Sequence, residues 1–372
     1  MKKFFALVTI AIAIAACTND DRYTWDDDFA DRTATDTLRI EICWNADNVR
    51  VNYDDYGYVS VEGTDVTVKS NTNKFLDLHL LGLTDDGSLT IYSWKKLGIT
   101  LDGLKLTNPD GPAINNQCGK AFHVTLNSSG NILTDGSTYA EQDIDQKGTF
   151  FSEGQIYFQG DGELIVNGNC RNGIACDDYI VMRGGKVSVN MASNANNGVK
   201  VNDGFTMQGG ELRVNVKGDG ARGIKCDART NIEGGYLDIT TSGDCRIETV
   251  DGIRDTTSAA GIKSDSLFTM TGGKLIVTSS GDGGKGINCS ENVEFKGGTL
   301  NITTTGSNDV GKPKGVKSDT GIIVSGGSFT VNVNKSWALD NGTDSEEPED
   351  RVTIIGSPIT KTLQKKSVVI QY

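Results

Sequence analysis

The carboxylates are the residues whose spacing points most directly to chemistry. Asp177 and Asp178 stand side by side, and Asn202 and Asp203 occupy the same place 25 residues on. Asp143, Asp145 and Glu153 form a second acidic group a short way upstream. Oxygen-rich sets of this kind suit a hard cation such as Ca2+, which takes about six to eight oxygen ligands. Neither group matches an EF-hand or a nonapeptide calcium repeat. A third set, Asp244, Glu248, Asp251 and Asp255, reads as loop acids.

Lysines recur with the acids. Lys200, Lys225, Lys263 and Lys317 hold one place in a repeated phrase, which Ala175 and Asn288 interrupt. Two residues on, the phrase carries Asp177, Asn202, Asp227, Asp265, Ser290 and Asp319. Two readings stand side by side. In one, Lys and Asp neutralise each other on a solvated face, where each pair is worth only about 0–1 kcal/mol. In the other, Lys200, Lys225, Lys263 and Lys317 with Asp227 and Asp265 form a docking strip for an extended polysaccharide. Lysines would meet uronate carboxylates, and acids would hold cations or sugar hydroxyls.

Catalysis has thinner support. Asp177 and Asp178 are the one carboxylate pair beside a repeat that would suit glycoside hydrolysis. A lyase would want a base beside calcium-bound uronate, for which Lys200 or Arg171 would serve. Nothing singles either out, so no catalytic residue is assigned. His79 and His123 are the only histidines and lie far apart, which leaves no His-based metal motif or hydrolase triad.

The elements that must position these residues follow from the repeat. Gly173, Gly198, Gly223, Gly261, Gly286 and Gly315 each precede Ile or Val. A Gly-Gly pair follows each of them 11 residues later, at 184–185, 209–210, 234–235, 272–273, 297–298 and 326–327. The return distance varies, with extra residues before Gly261 and Gly315. Insertions gathered at one corner mark a solenoid with one variable turn. Each repeat holds three apolar pairs at a spacing of two, such as Ile174/Cys176, Ile180/Met182 and Val187/Val189. That period predicts three short strands with these side chains inward. No helical period appears, so the fold is all-β, a three-sided parallel β-helix with turns of about 25 residues. Residues 98–335 would make roughly nine turns at about 4.8 Å each. The Gly-Gly is expected where the chain needs positive φ or close backbone approach. Residues 37–97 read as an N-terminal β cap and irregular first turns, and residues 336–372 as a C-terminal cap. Trp44, Trp94 and Trp337 are expected to pack in the caps rather than to form a sugar platform.

The chain opens with MKKFFALVTIAIAIAAC. Lys2 and Lys3 precede an apolar run too short to span a bilayer, and Ile14-Ala15-Ala16-Cys17 resembles a lipobox. Residues 1–17 are expected to be a lipoprotein signal, with Cys17 carrying lipid and holding the protein to a membrane by acyl chains alone. Residues 18–36 are acidic and poor in large aliphatics, which predicts a flexible tether. They are equally consistent with a surface-export signal and with a plain linker. An outer-membrane, cell-surface lipoprotein is the expected location.

A formal net charge of −13 disfavours nucleic acid and anionic lipid as partners. Cys176, Cys226 and Cys289 share one inward register but alternate with Val201 and Ser264, so they are expected to be free buried thiols. Cys43, Cys118, Cys170 and Cys245 admit three pairings, and the sequence does not choose among them or with none.

The runs GITLDGLKLTNPDGPAINNQ, NILTDGSTY and FFSEGQIYFQGDGELIVNGNCRNGIACDDYIVMRGG together resemble a family of bacterial extracellular carbohydrate-binding proteins. The likeness runs from about residue 98 to 335. It implies a right-handed parallel β-helix of pectate-lyase-like shape, calcium held at the helix, and binding of plant-type polysaccharide such as polygalacturonate or cellulose. Catalysis is not firmly implied. The family often carries Asp directly before the GI pair, where this chain has Asn172, Asn197, Arg222, Ala260, Lys285 and Lys314. Asp251, inside the insertion, is the exception. Fewer or displaced calcium sites are therefore expected.

The function expected from sequence is calcium-assisted polysaccharide binding by a surface-anchored lipoprotein. A polysaccharide lyase or glycoside hydrolase acting on uronate polymers is the alternative, and a structural adhesion protein a second. The sequence sets no oligomeric state.

Overall fold

A computed structural model describes residues 36–372. The leader, Cys17 and tether residues 18–35 lie outside the described residues. The body, Leu38–Tyr372, winds as a parallel β-solenoid with three faces.

The GI face is a sheet of twelve strands, running from Val59–Glu62 to Trp337–Asp340. Its first pairing is antiparallel, and the other eleven strands, from Asp65–Ser70 onward, are parallel. Eleven turns therefore stack, the first of them well before residue 98. Strands such as Tyr179–Met182 and Lys186–Met191 build the second and third faces, again in parallel register from turn to turn.

The inward residues follow from the period of two. Ile174/Cys176, Ile180/Met182, Val187/Val189 and their equivalents in the next five repeats are all buried. Phe205, Phe268, Phe295 and Phe329 sit in the same columns and are fully enclosed. Six buried side chains per turn, at about 1.5–3 kcal/mol each before entropy, need neighbours above and below to stay dry. A lone turn has none, so the array folds by stacking.

The glycines explain the repeated phrase. A Cβ on Gly223 would lie 2.2 Å from Ile239 Cγ2 and 2.6 Å from the Gly261 carbonyl oxygen. The GI glycine is thus the gap into which a third-face branched side chain packs. In the Gly-Gly pairs the second member takes positive φ, as at Gly235 (φ 76°), while a Cβ on the first would meet the previous turn's backbone.

The ends and the corner insertions complete the fold. Thr37–Asn45 pairs antiparallel with Asn48–Asn52 at one end. At the other, Ser367–Gln371 pairs antiparallel with both Ser328–Val333 and Thr360–Leu363. The insertion before Gly261 is an antiparallel hairpin, Arg246–Val250 with Ile253–Thr257. Among the described residues, seven cysteines are free thiols, and Cys118, Cys176, Cys226, Cys245 and Cys289 are buried. The tryptophans differ from their expected common role. Trp44 is buried near the N-terminal end, whereas Trp94 is 56% exposed with its indole N–H on the Thr72 carbonyl, because it lies in a turn between faces.

Candidate functional site

The acids that look separate in sequence meet on the GI face. Gly148–Ser152 pairs in parallel with Asn172–Cys176, setting Ser152 beside Cys176. The next residue on each strand is an acid, so Glu153 falls beside Asp177. Carboxylate oxygens of Asp145, Glu153 and Asp177 all lie within 4.8 Å of one another. Lys147 stands among them, its ammonium 2.6 Å from Asp145 and 2.5 Å from Asp177. Burial raises the Glu153 carboxyl above its ordinary range, and the charge of Asp177 raises it further. Burial opposes the Lys147 charge, but hydrogen bonds to Asp145 and Asp177 outweigh it and hold the ammonium above its usual value.

The remaining metal candidates stand around this group. Asn202 donates its amide to Asp177 at 3.3 Å. Asp178 turns away and accepts from the Gln155 amide, so Asp177 and Asp178 are held by different partners. Asp203 and Asp143 are exposed and outside the three-carboxylate group. A cavity of about 480 Å3 opens beside Asp177, lined by Lys147, Arg171, Asn172, Lys200, Asn202 and Asp227 among others. Arg171 is held there by a hydrogen bond to the Gln146 carbonyl and by the Tyr139 ring, 5.0 Å from its guanidinium carbon.

From this cavity the lysine and aspartate columns run on as a linked chain. Lys200 bonds Asp227 one turn on, and Lys225 reaches Asp227 at 2.7 Å and also Asp265. Lys263 lies 2.9 Å from Asp265 and 2.7 Å from the Ser290 hydroxyl. Lys317 pairs with Asp319, beyond the gap left by Asn288. Burial pulls the Asp227 and Asp265 carboxyls upward, but the lysines on either side prevail and hold both below the ordinary carboxylate range. The columns therefore neutralise each other and still present alternating charge to solvent. The one donor on this strip that sequence reasoning missed is Lys147. Its signal was the alternation Asp145-Gln146-Lys147, one turn ahead of the first GI pair.

The acidic head is chemically suited to a hard cation. Three carboxylates against one lysine leave an excess of negative charge, and every donor is oxygen, the set Ca2+ takes. Lys147 is 38% exposed at its side chain, and its flexible stem can withdraw toward solvent.

The chain is similar to known proteins in sequence and in fold. A protein of Acetivibrio thermocellus described as carbohydrate-binding domain-containing is 28% identical over 150 residues, which are 38% of this chain. The chain spans about half of that relative's length, 51%. The solved structure of a polysaccharide lyase-like protein from C. thermocellum, a gadolinium derivative, superposes with a TM-score of 0.56 at 23% identity. That likeness covers 69% of this chain and 97% of the other and is one of fold. A family model for carbohydrate-binding domain-containing proteins matches residues 62–251 and 221–309. Those two segments together take in most of the solenoid, and the chain belongs to the family of carbohydrate-binding domain-containing proteins.

Proposed function

We propose that this protein is a non-catalytic receptor for an extended, plant-type polysaccharide, polygalacturonate- or cellulose-like, which lies along the GI face with calcium at its acidic head. The observation that carries this reading is the meeting of Asp145, Glu153 and Asp177 at the start of the Lys–Asp chain, in register with it. A turn rises about 4.8 Å, comparable with one sugar unit, so the periodicity of the face suits a polymer. Asp145, Glu153 and Asp177 would hold the ion. It would supply charge that a uronate carboxylate can share, with the remaining coordination from water or sugar. Lys200, Lys225, Lys263 and Lys317 would then meet further carboxylates, and Asp227 and Asp265 would accept from sugar hydroxyls. Cys17 as a lipid-bearing residue would place this face outside the cell, tied by the acidic tether to an outer membrane. A Cys17→Ala protein found in the membrane fraction as fully as the parent would remove that anchor.

A polysaccharide panel tests the binding reading. Retention of polygalacturonate or cellulose, with no product released, is the expected result. Unsaturated or reducing-end products would favour a lyase or hydrolase, and no retention of any glycan would leave an adhesion protein.

A further inference from the structure

The residue before each GI glycine forms its own column. In register it runs from Asn172 and Asn197 through Arg222, Ala260, Lys285 and Lys314 to Trp337. The first half is an amide ladder: Asn197 donates to Asn172 at 3.1 Å, and the Arg222 backbone N–H donates to Asn197. The second half is cationic. Both corner insertions stand over that half, and with the C-terminal segment 336–365 they line an open cavity of about 720 Å3. Ser258 of the first insertion and Lys312 of the second are on its wall, with Lys285, Lys314 and Trp337 behind them.

The charge in this cavity is opposite to that of the molecule. Six lysines and arginines line it against three carboxylates, in a chain of formal net charge −13. The three acids do not reach all the cations. Asp340 takes Lys314 at 2.8 Å and Arg351 at 3.5 Å, and Glu346 takes Lys365 at 3.0 Å. Lys285 donates to the Ser258 hydroxyl, and among the described residues no carboxylate pairs with it. Its charged neighbours are Lys314, Lys317 and Arg222, with the Cys245 thiol alongside. Burial pushes the Lys285 ammonium down to about 8; the Cys245 sulfur opposes this, and the like charges of Lys317, Lys314 and Arg222 add to it. A half-buried cation without an anion is costly to the fold, and a bound anion relieves it.

We propose that this cavity is a metal-independent binding site for the anionic group of a sugar, a carboxylate or a sulfate ester, separate from the acidic head of the same face. Lys285 is the interior donor and Lys312 the donor at the mouth. The two sites are four turns apart by register, roughly 20 Å, so one acidic chain several units long can reach both. The sugar part of this proposal rests on the polysaccharide reading, while the anion site does not depend on calcium.

The test is calorimetric titration of the full chain in excess chelator with trigalacturonate, a sulfated disaccharide and cellotriose. At least one anionic probe is expected to bind, more weakly as salt rises, and cellotriose not to displace it. The probe that binds identifies carboxylate or sulfate as the source. Lys285→Met is expected to weaken binding about ten-fold or more while raising the melting temperature, and Lys312→Gln to weaken it less. Lys361→Gln, an exposed lysine outside the cavity, is expected to leave it unchanged. Failure of both anionic probes in chelator would overturn the proposal, as would undiminished binding by Lys285→Met. Binding that appears only with added calcium would sink this site and leave the acidic head standing. Binding in chelator with no calcium response would do the reverse.

Discussion

Glu153 is the residue of the acidic head with most to gain from a cation. Its carboxyl is raised by burial and by Asp177. A carboxyl raised in the folded state contributes most below its ordinary value, and the contribution is lost as pH climbs through the raised one. At neutral pH, charged Glu153 therefore costs stability even with the Lys147 ammonium nearby, and a bound metal cation would relieve that cost. Glu153→Gln is expected to raise the melting temperature in chelator by about 1–3 °C and to shrink the further rise that calcium gives the parent. Differential scanning fluorimetry with and without calcium checks both; a lower melting temperature in chelator would contradict the account. This group was half legible in the sequence. Asp145, Glu153 and Asp177 all stand out as acids, but they read as two sets because FFSEG lacks the GI pair that marks the later turns. Only the Ser152–Cys176 register merges them.

Strands and corners are where the sequence speaks most clearly. A spacing of two exposes the inward columns, and all six repeats bury them. Turns before Asn172 were harder to see. By register, Ser88, Ala113 and Thr149 stand where later turns have the GI glycine, so the phrase is absent although the strands stack alike. The cationic cavity was legible only as Lys285 and Lys314 before their GI pairs, since the rest of its lining comes from two insertions and the C-terminal segment, which sequence spacing marks as extra length without shape. The glycine rule can be measured. Gly223→Ala places a methyl 2.2 Å from Ile239 Cγ2, inside a packed corner. It is expected to cost about 1–3 kcal/mol in urea unfolding. Gly119→Ala, whose Cβ has nothing within 4 Å, is the control and is expected to be near neutral. Equal midpoints for the two variants would mean that the GI glycine is not a packing requirement.

At the scale of the whole molecule, the solenoid sorts charge along one face. An acidic head is followed by a neutralised Lys–Asp chain and then by a cation-lined cavity, within a chain of net charge −13. Stacking in strict register is what makes such columns possible, because a residue at one place in the phrase meets its own kind one turn later. The direct test of the central claim is calorimetric titration of polygalacturonate oligomers into the full chain and into Asp177→Asn, each with millimolar calcium and again in excess chelator. Calcium is expected to tighten binding by the parent about ten-fold or more and to do little for Asp177→Asn. The same affinity for the parent with calcium and with chelator would contradict it.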